Sequence, residues 1–253
     1  MKFINENYIE INLGLNKEYT LVQISDSHVI IASDNFAKGN EAAWYKVKED
    51  FANIFNEPFY ECHKIPSKDC FDKVMDYAKE INPDLLLLTG DIIDYYDEEN
   101  LNYIKNSLIN SNLKYLYSCG NHEGIIDIIK EFDLIDFNEF KVISIDNSKK
   151  QVSKNVIELL KQELLDNKPV ILSMHIPLLS KYNISDMQKY DEYFTMKYNE
   201  NKEFFNLIES NSNIKAIFCG HVHGNGFSYV TKDIPQYCAS SSLIGQMNII
   251  KIK

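Results

Sequence analysis

Short runs of apolar residues, each followed at once by polar side chains, recur along the chain. Leu85–Leu88 is the clearest case: four leucines lead into Thr89 and Gly90, and Asp91 follows. An apolar run without polar alternation is typical of a strand that is buried on both faces. In open α/β sheets, ligands bind beyond the carboxyl ends of such strands. We therefore expect Asp91 to lie at a ligand-binding edge of a sheet.

Four other apolar runs end in the same way. Leu21–Ser25 leads to Asp26 and His28, Tyr115–Gly120 to Asn121 and His122, Val170–Met174 to His175, and Ala216–Gly220 to His221 and His223. In Asp26-x-His28, positions i and i+2 of an extended segment point the same way, so both side chains can reach one ion. The five runs together predict a metal site assembled on one rim of a sheet.

The remaining pattern predicts helices between strands. Apolar side chains recur at helical spacing in Trp44–Phe55, Phe71–Ile81, Leu101–Ile109, Val156–Leu164 and Phe204–Ile208, and a short helix is predicted at Ile125–Phe132. Ser67 is the expected N-cap of the second helix. Additional strands are expected at Tyr8–Leu13, Phe140–Ile145, Phe227–Val230, Pro235–Cys238 and Met247–Ile252. Strands that alternate with helices predict an α/β (α+β) fold.

Length and composition favour one domain over residues 1–253. With 45% apolar and 25% charged residues, the chain can bury a complete core. Val29–Pro83 is long for a crossover and holds no candidate ligand, so its part at about 34–66 is a candidate lid insertion. Trp44 and Phe51 would either pack this lid onto the core or contact substrate.

A second candidate lid lies at about 178–200, which is irregular and rich in tyrosine, aspartate and lysine. Its aromatic side chains, Tyr190, Tyr193 and Phe194, are candidates for selecting the organic part of a substrate. His63 lies outside every motif, and we assign it no role.

Charge and cysteine content limit the partners and the compartment. The formal net charge of -11 argues against a nucleic-acid partner, since such proteins usually carry a basic face. Five cysteines without a CxxC pair predict a reducing compartment. The polar N-terminus and the lack of a long apolar run predict a cytoplasmic protein that does not enter a membrane. No feature of the sequence indicates an oligomeric state.

The motifs resemble those of a known family when they are taken together. The signature of the calcineurin-like metallophosphoesterases is similar to Asp26-x-His28, Gly90-Asp91-x-x-Asp94, Gly120-Asn121-His122-Glu123, the lone His175, and Gly220-His221-x-His223. Each motif is weak alone, but five in order, each after an apolar strand, are highly specific. The resemblance implies a four-layer αββα sandwich of two mixed β-sheets flanked by helices, with a two-metal centre.

The resemblance also implies a role for each polar side chain. The first metal ion would be held by Asp26, His28, Asp91 and His223, and the second by Asp91, Asn121, His175 and His221. His122 is similar to the family's catalytic histidine, and Asp94 to the aspartate that orients it. Nitrogen and oxygen ligands without thiolate leave Mn, Fe, Zn or Co as candidate divalent or trivalent ions.

This set of residues suits phosphoester hydrolysis. A carboxylate that bridges two cations about 3.5–4 Å apart supports in-line attack on phosphorus by a metal-bound hydroxide. His122 is adjacent to a ligand without being needed as one, so it is free to protonate the leaving oxygen. We expect a dinuclear phosphoesterase for a small phosphomonoester or phosphodiester, with nucleotides among the candidates.

Two other functions stay open. A catalytically idle protein-binding scaffold of the same fold would be favoured by loss of His122 or of a ligand. A nuclease would need a basic stripe beside the lids. The chain has no arginine, so a further phosphate would depend on backbone N–H groups or on lysines such as Lys38, Lys46 or Lys48.

Several residues within or beside the motifs narrow or extend this interpretation. Asp94 stands where purple acid phosphatases place a metal-binding tyrosine, and Tyr95 where protein Ser/Thr phosphatases carry an arginine, so both branches are disfavoured. Glu123 would either support the ligands from behind or cap the helix after it. Cys119 and Cys219 are expected to be small buried hydrophobic side chains.

Overall fold

The computed structural model describes residues 4–31, 35–54, 62, 65–124, 128–188, 190 and 194–253. His63, Tyr193 and parts of both predicted lids lie outside the described residues, as does the side chain of Phe51. No helix in the described part of the chain is both long and apolar enough to cross a membrane.

Strands and helices alternate along the chain as the apolar runs predict. In chain order, the strands are β1 (Asn5–Ile11), β2 (Tyr19–Ile24), β3 (Leu85–Leu88), β4 (Tyr115–Tyr117), β5 (Phe132–Asp136), β6 (Lys141–Ile145), β7 (Val170–Ser173), β8 (Leu178–Leu179), β9 (Met196–Lys197), β10 (Ile214–Cys219), β11 (Gly226–Tyr229), β12 (Pro235–Cys238) and β13 (Gln246–Ile252). The α-helices are α1 (Asn35–Ile54), α2 (Ser67–Ile81), α3 (Glu98–Ser111), α4 (Lys154–Glu163), α5 (Ile184–Met187) and α6 (Lys202–Ser210).

The strands form two large mixed sheets and one small pair. The first sheet has the order β1-β13-β2-β3-β4, and β2, β3 and β4 run parallel to one another. The second has the order β11-β12-β10-β7-β6-β5, in which β6, β7, β10 and β12 are parallel and the two outer strands are antiparallel to their neighbours. β8 pairs with β9.

Three buried clusters show how the layers are stacked. α2 and α3 cover one face of the first sheet, and α4 and α6 cover one face of the second. The third cluster lies between the sheets. In β3, Leu86 and Leu88 face the helices, whereas Leu85 and Leu87 face the other sheet. The uninterrupted leucine run is therefore buried on both faces, and the predicted αββα sandwich is confirmed.

The candidate ligands follow strands of both sheets, so the prediction of one rim of a single sheet is wrong. β2, β3 and β4 belong to the first sheet, and β7 and β10 to the second. Polar side chains join the sheets close to these strand ends. Gln23 Nε2 donates to Thr89 Oγ1 and to the carbonyl of Cys219, both over 3.0 Å, and Ser118 Oγ lies 2.9 Å from Ser173 Oγ. These buried contacts fix the two sets of strand ends beside each other.

The sequence pattern gave two wrong local predictions. Residues 128–132 contain no helix, and Phe132 instead begins β5, which pairs antiparallel with β6. Phe132 and Leu134 alternate onto one face of the second sheet, and this period of two favours a strand. Ser67 is the first residue of α2 and not its N-cap, which is Pro66.

Among the described side chains of α1, the predicted apolar stripe is not uniformly buried, and polar side chains make specific contacts. Ile54 is 68% exposed, whereas the side chain of Lys48 is buried. Lys48 Nζ donates to the carbonyl of Ile65 over 3.0 Å, so this lysine is engaged in the fold and does not serve a phosphate. Glu41 accepts from the N–H of Ser67 at 2.7 Å and from its hydroxyl at 2.9 Å. Polar contacts thus hold α1 against the start of α2.

Candidate metal centre

The backbone is strained where the candidate ligands leave their strands. Left-handed φ angles are uncommon for residues with a Cβ atom and are found mostly at functional sites. Five of the candidate site residues adopt them, Asp26 (φ 53°), His28 (φ 45°), Asp91 (φ 52°), His221 (φ 70°) and His223 (φ 55°), as do five described residues elsewhere, at Asn82, Asn112, Asn138, Lys150 and Asn167. Left-handed turns therefore coincide with five of the predicted site positions.

The loops after β2 and β3 run side by side. The N–H of Asp26 donates to the carbonyl of Gly90 over 2.9 Å, and the N–H of His28 to the carbonyl of Asp91 over 3.0 Å. This parallel pairing extends the sheet beyond its regular end. It brings the first two candidate motifs into one site, as their spacing after parallel strands predicts.

Asp26, His28 and His223 form the first group of candidate ligands. His28 Nε2 lies 3.1 Å from His223 Nε2, and His223 Nε2 lies 3.3 Å from Asp26 Oδ1. All three side chains are buried. Two imidazole nitrogens and a carboxylate oxygen that converge within these distances can share one cation.

Asp91, His175 and His221 form the second group. His175 Nε2 lies 3.2 Å from Asp91 Oδ2, and 3.1 Å from both His221 Nδ1 and Asn121 Oδ1. All the predicted second-site residues are therefore together. Asp91 contacts this group, and its bridging to the first group stays a prediction.

Acceptors behind two histidines determine which ring nitrogen faces the site. His175 Nδ1 lies 2.7 Å from the carbonyl of Thr89, which can only accept, so Nδ1 carries the hydrogen. His28 Nδ1 lies 3.2 Å from Asp94 Oδ1. In each ring Nε2 then points toward the other candidate ligands. Such partners are common behind metal-binding imidazoles.

The two aspartates also fasten the loops that carry the other ligands. Asp26 accepts from the N–H of His221 at 3.1 and 3.0 Å, and Asp91 Oδ1 accepts from the N–H of His122 at 2.9 Å. Burial alone would raise the pKa of both carboxyls. The neighbouring His223 and His175 reverse this and lower the pKa of Asp26 and of Asp91, respectively. Both side chains are therefore ionised at neutral pH.

Charge is distributed unevenly over the second group. Burial opposes protonation of His175, but the carboxylates of Asp91 and Asp26 outweigh it and raise its pKa to about 10. Burial and the charge of His175 lower the pKa of His221 to about 3. The buried carboxylates thus attract one positive charge into the group, which a metal ion would supply in place of the proton.

Glycines allow the loops to approach this closely. A Cβ atom on Gly120 would lie 2.1 Å from Asp91 Oδ1. One on Gly220 would lie 1.8 Å from Ser25 Oγ and 2.5 Å from Asp26 Oδ2. Both distances are far below van der Waals contact. A side chain at either position would displace the aspartate on which each group depends.

The residues of both groups fit metal ions. The donor sets combine imidazole nitrogen with carboxylate or amide oxygen, which suits first-row transition ions. Within the described part of the chain, His221 Nε2 is buried without a hydrogen-bond partner. A buried polar atom without a partner is costly, and a ligand is one way to satisfy it.

His122 is placed beside both groups and open to solvent. Its side chain is 36% exposed, and its Nε2 lies 4.0 Å from Asp91 Oδ2. Its Nδ1 lies 2.6 Å from the main-chain carbonyl of Asp94. The Asp94 carboxylate is 3.7 Å from the same nitrogen. The expected pairing of these residues is present, but it runs through the backbone of Asp94.

The carboxylate of Asp94 has other partners, two of which sequence reasoning missed. Trp44 Nε1 donates to Oδ1 over 2.7 Å, and Asn40 Nδ2 donates to Oδ2 over 2.9 Å. Burial would raise the pKa of Asp94, but hydrogen bonds from His28, Trp44 and Asn40 lower it. The only sequence signal for this contact is the i, i+4 spacing of Asn40 and Trp44, which places both on one face of α1.

Glu123 supports the turn that carries Asn121 and His122. Its buried carboxylate accepts from the N–H of Ile92 at 2.6 Å, from the N–H of Gly120 at 2.5 Å, and from the hydroxyl of Tyr117. Burial and the charge of Asp91 raise its pKa to about 7. Of the two roles expected for Glu123, support from behind the ligands is the one that these contacts favour.

Comparison with known proteins points to one family. The family model for calcineurin-like phosphoesterases matches residues 19–225. A probable cyclic nucleotide phosphodiesterase of Colwellia psychrerythraea is 25% identical over 226 residues, which are 83% of this chain and 73% of the relative. One of Moraxella catarrhalis is 24% identical over 182 residues, 62% of this chain and 65% of the relative.

Solved structures share the fold at low sequence identity. A dimetal phosphatase from Danio rerio superposes with a TM-score of 0.59 at 12% identity, covering 89% of this chain and 88% of that one. A purple acid phosphatase from yellow lupin gives 0.55 at 12% identity, covering 92% of this chain and 44% of that one. At such identities the likeness concerns the fold alone.

Proposed function

Since the chain belongs to the calcineurin-like phosphoesterase family, and is thus a phosphoric ester hydrolase, we propose that it binds two metal ions and hydrolyses a small phosphomonoester or phosphodiester of a nucleotide. The observation that carries this proposal is the pair of adjacent ligand groups, Asp26–His28–His223 and Asp91–His175–His221. They supply two sets of cation ligands in one buried site.

Each group would hold one ion. The first would be bound by Asp26, His28 and His223 and the second by Asn121, His175 and His221, with Asp91 as the bridging ligand. Two such ions neutralise phosphoryl oxygens and lower the pKa of an attacking water. Mn, Fe, Zn and Co all suit these nitrogen and oxygen ligands.

The solvent exposure of His122 indicates its role. The first group is buried, whereas Asn121 is exposed and His122 is partly exposed. A phosphoester would therefore approach from the side of Asn121 and His122. Because Nδ1 of His122 donates to the Asp94 carbonyl, Nε2 is the atom that can deliver a proton to the leaving oxygen.

Aromatic surfaces beside the ligands favour a nucleotide as the organic part. Phe194 is 42% exposed, and its ring centroid lies 5.6 Å from that of His221. Trp44 lies beside the first group, 4.2 Å from the ring of His28. A nucleobase is a flat ring that stacks on such side chains. The names of the two curated relatives add support for a cyclic nucleotide.

The charges give a nuclease less support. The chain has a formal net charge of -11, and Lys48 of the first predicted lid is buried against the Ile65 carbonyl. A protein-binding scaffold would be favoured by a missing ligand, but every predicted ligand and His122 are present in the sequence. A small phosphoester therefore suits the site better than either alternative.

The decisive experiment is a substrate screen of the protein loaded with Mn²⁺. It should include nucleoside monophosphates, cyclic nucleotides and a generic aryl phosphodiester, with Asp91→Asn and chelator-treated protein as controls. We expect metal-dependent hydrolysis of at least one nucleotide ester. A folded protein that binds two ions yet hydrolyses none of these esters would favour the scaffold function.

A further inference from the structure

Helix α1 reaches the candidate metal centre through the carboxylate of Asp94. Trp44 donates to one oxygen of this carboxylate and Asn40 to the other, and His28 Nδ1 lies 3.2 Å from the oxygen that Trp44 also contacts. Asp94 is buried, and a buried carboxylate is stable only when its oxygens are paired with donors. Two of these three donors come from α1, so α1 determines how the carboxylate is oriented.

We propose that α1 supports the first metal site without supplying a metal ligand itself. Asn40 and Trp44 are positioning residues: they hold Asp94, and Asp94 holds His28. The inference rests on the proposed function, because it takes His28 as a metal ligand. A carboxylate that accepts from Nδ1–H of a ligating imidazole fixes the ring and makes Nε2 more basic, and losing such a partner typically lowers metal affinity about 10–100-fold.

The ring of Trp44 also covers this position. Its centroid lies 4.2 Å from that of His28 and 5.7 Å from that of His223, with interplanar angles of 31° and 23°. An ion bound by these histidines is enclosed beneath the indole. Among the described residues, the ring contacts of α1 with candidate ligands are to His28 and His223, whereas His221 of the second group contacts Phe194 and the neighbouring Asn121 is exposed. The first ion should therefore exchange more slowly than the second.

Contacts away from Asp94 hold α1 in place independently. Glu41 accepts from the backbone and hydroxyl of Ser67, and Lys48 donates to the Ile65 carbonyl. Removing one donor to Asp94 therefore leaves the helix attached to the fold at two other points. Variants at Asn40 and Trp44 can be expected to fold, which allows their effect on metal binding to be measured.

The test uses substitutions that remove one donor at a time. Trp44→Phe keeps an aromatic ring over His28 and removes the N–H group, and Asn40→Ala removes the amide donor. Tyr45→Phe is the matched control, because it also removes one polar hydrogen from an aromatic side chain of α1, but its ring lies under Lys48, 4.9 Å from Nζ. Chelator competition on Mn²⁺-loaded protein gives the Kd and the release rate of each ion.

We expect Trp44→Phe and Asn40→Ala each to lower the affinity for one of the two ions about 10–100-fold and to speed its release. The affinity for the other ion should be unchanged. Tyr45→Phe should match the original protein. Trp44 is the sole tryptophan of the chain, so quenching of intrinsic fluorescence should report Mn²⁺ at this position directly.

Three results would count against these expectations, and they differ. Unchanged affinities and release rates in both folded variants would overturn the inference and leave the proposed function standing. Equal weakening of both ions would also overturn it, because α1 would then act through general stability. An original protein that binds no Mn²⁺, Zn²⁺ or Co²⁺ would overturn the proposed function itself.

Discussion

The imidazole of His122 is held by the main-chain carbonyl of Asp94, 2.6 Å from Nδ1, while the carboxylate of the same residue pairs with His28. One residue therefore supports both the proposed proton donor and a proposed metal ligand, through different atoms. Substitution of the Asp94 side chain removes the second contact and leaves the first possible. The two functions can thus be separated by mutation.

His122→Ala should lower kcat by about 10²–10⁴-fold, the usual contribution of general acid catalysis. Both ions should stay bound, because His122 is in neither proposed ligand set. The loss should be smaller for a nitrophenyl ester, whose leaving group needs little protonation. Measuring kcat for esters of graded leaving-group pKa checks this. An equal loss across the series would mean that His122 positions the phosphate instead of donating a proton.

Asp94→Asn should give a different pattern. Its carbonyl can still anchor His122, so activity should fall to a similar extent for good and poor leaving groups. The amide oxygen is a weaker acceptor for the Nδ1–H of His28, and one metal ion should therefore bind about 10–100-fold more weakly. Metal titration beside the leaving-group series distinguishes the two variants. A loss that depends on the leaving group would instead assign the carboxylate to His122.

Asp91→Ala should remove both ions if this carboxylate bridges them. Its Oδ2 contacts His175, and its Oδ1 accepts from the N–H of His122, so the turn that carries Asn121 should loosen as well. Asp91→Asn should bind both ions more weakly and retain the turn. Elemental analysis after gel filtration provides the measurement. Two tightly bound equivalents in Asp91→Ala would refute the ligand assignment.

Much of the fold could be predicted because burial imposes a simple pattern on the chain. The leucines of β3 face a helix layer and a sheet layer in turn, so no polar residue is tolerated there and the run is uninterrupted. The candidate ligands were predictable for a related reason. Parallel strands deliver the residues that follow them to one edge, which held for Asp26, Asp91 and Asn121.

The apolar pattern could not predict structural features that depend on contacts between different segments of the chain. Several described polar side chains of α1 have specific partners, such as Glu41 with Ser67 and Trp44 with Asp94. Apolar periodicity carries no information about such pairs. A helix was predicted over Ile125–Phe132, but Phe132 begins β5, and the pairing of this strand with β6 decides its structure.

Gly120→Ala tests the close approach of the loops. The new Cβ would lie 2.1 Å from Asp91 Oδ1 and 2.2 Å from the Asp91 nitrogen, so the loop after β3 must move. We expect loss of metal binding and a lower thermal midpoint. Gly39→Ala is the control, because nothing lies within 4 Å of its added methyl group, and alanine should stabilise α1 by about 0.5–1 kcal/mol. A metal-replete Gly120→Ala would show that the loops adapt.

Metal binding should release protons and strengthen as the pH rises. Burial lowers the pKa of His175, but Asp91 and Asp26 outweigh it and raise the pKa to about 10 in the metal-free protein. The ring is thus doubly protonated at neutral pH, and a metal-bound imidazole cannot keep the second proton. Below this pKa, the apparent Kd should therefore fall by up to about tenfold per pH unit. Calorimetric titrations in buffers of different ionisation enthalpy count the protons released, with His175→Gln as the comparison. Equal heats in every buffer, with a Kd independent of pH, would contradict the proposed exchange of a proton for a metal ion.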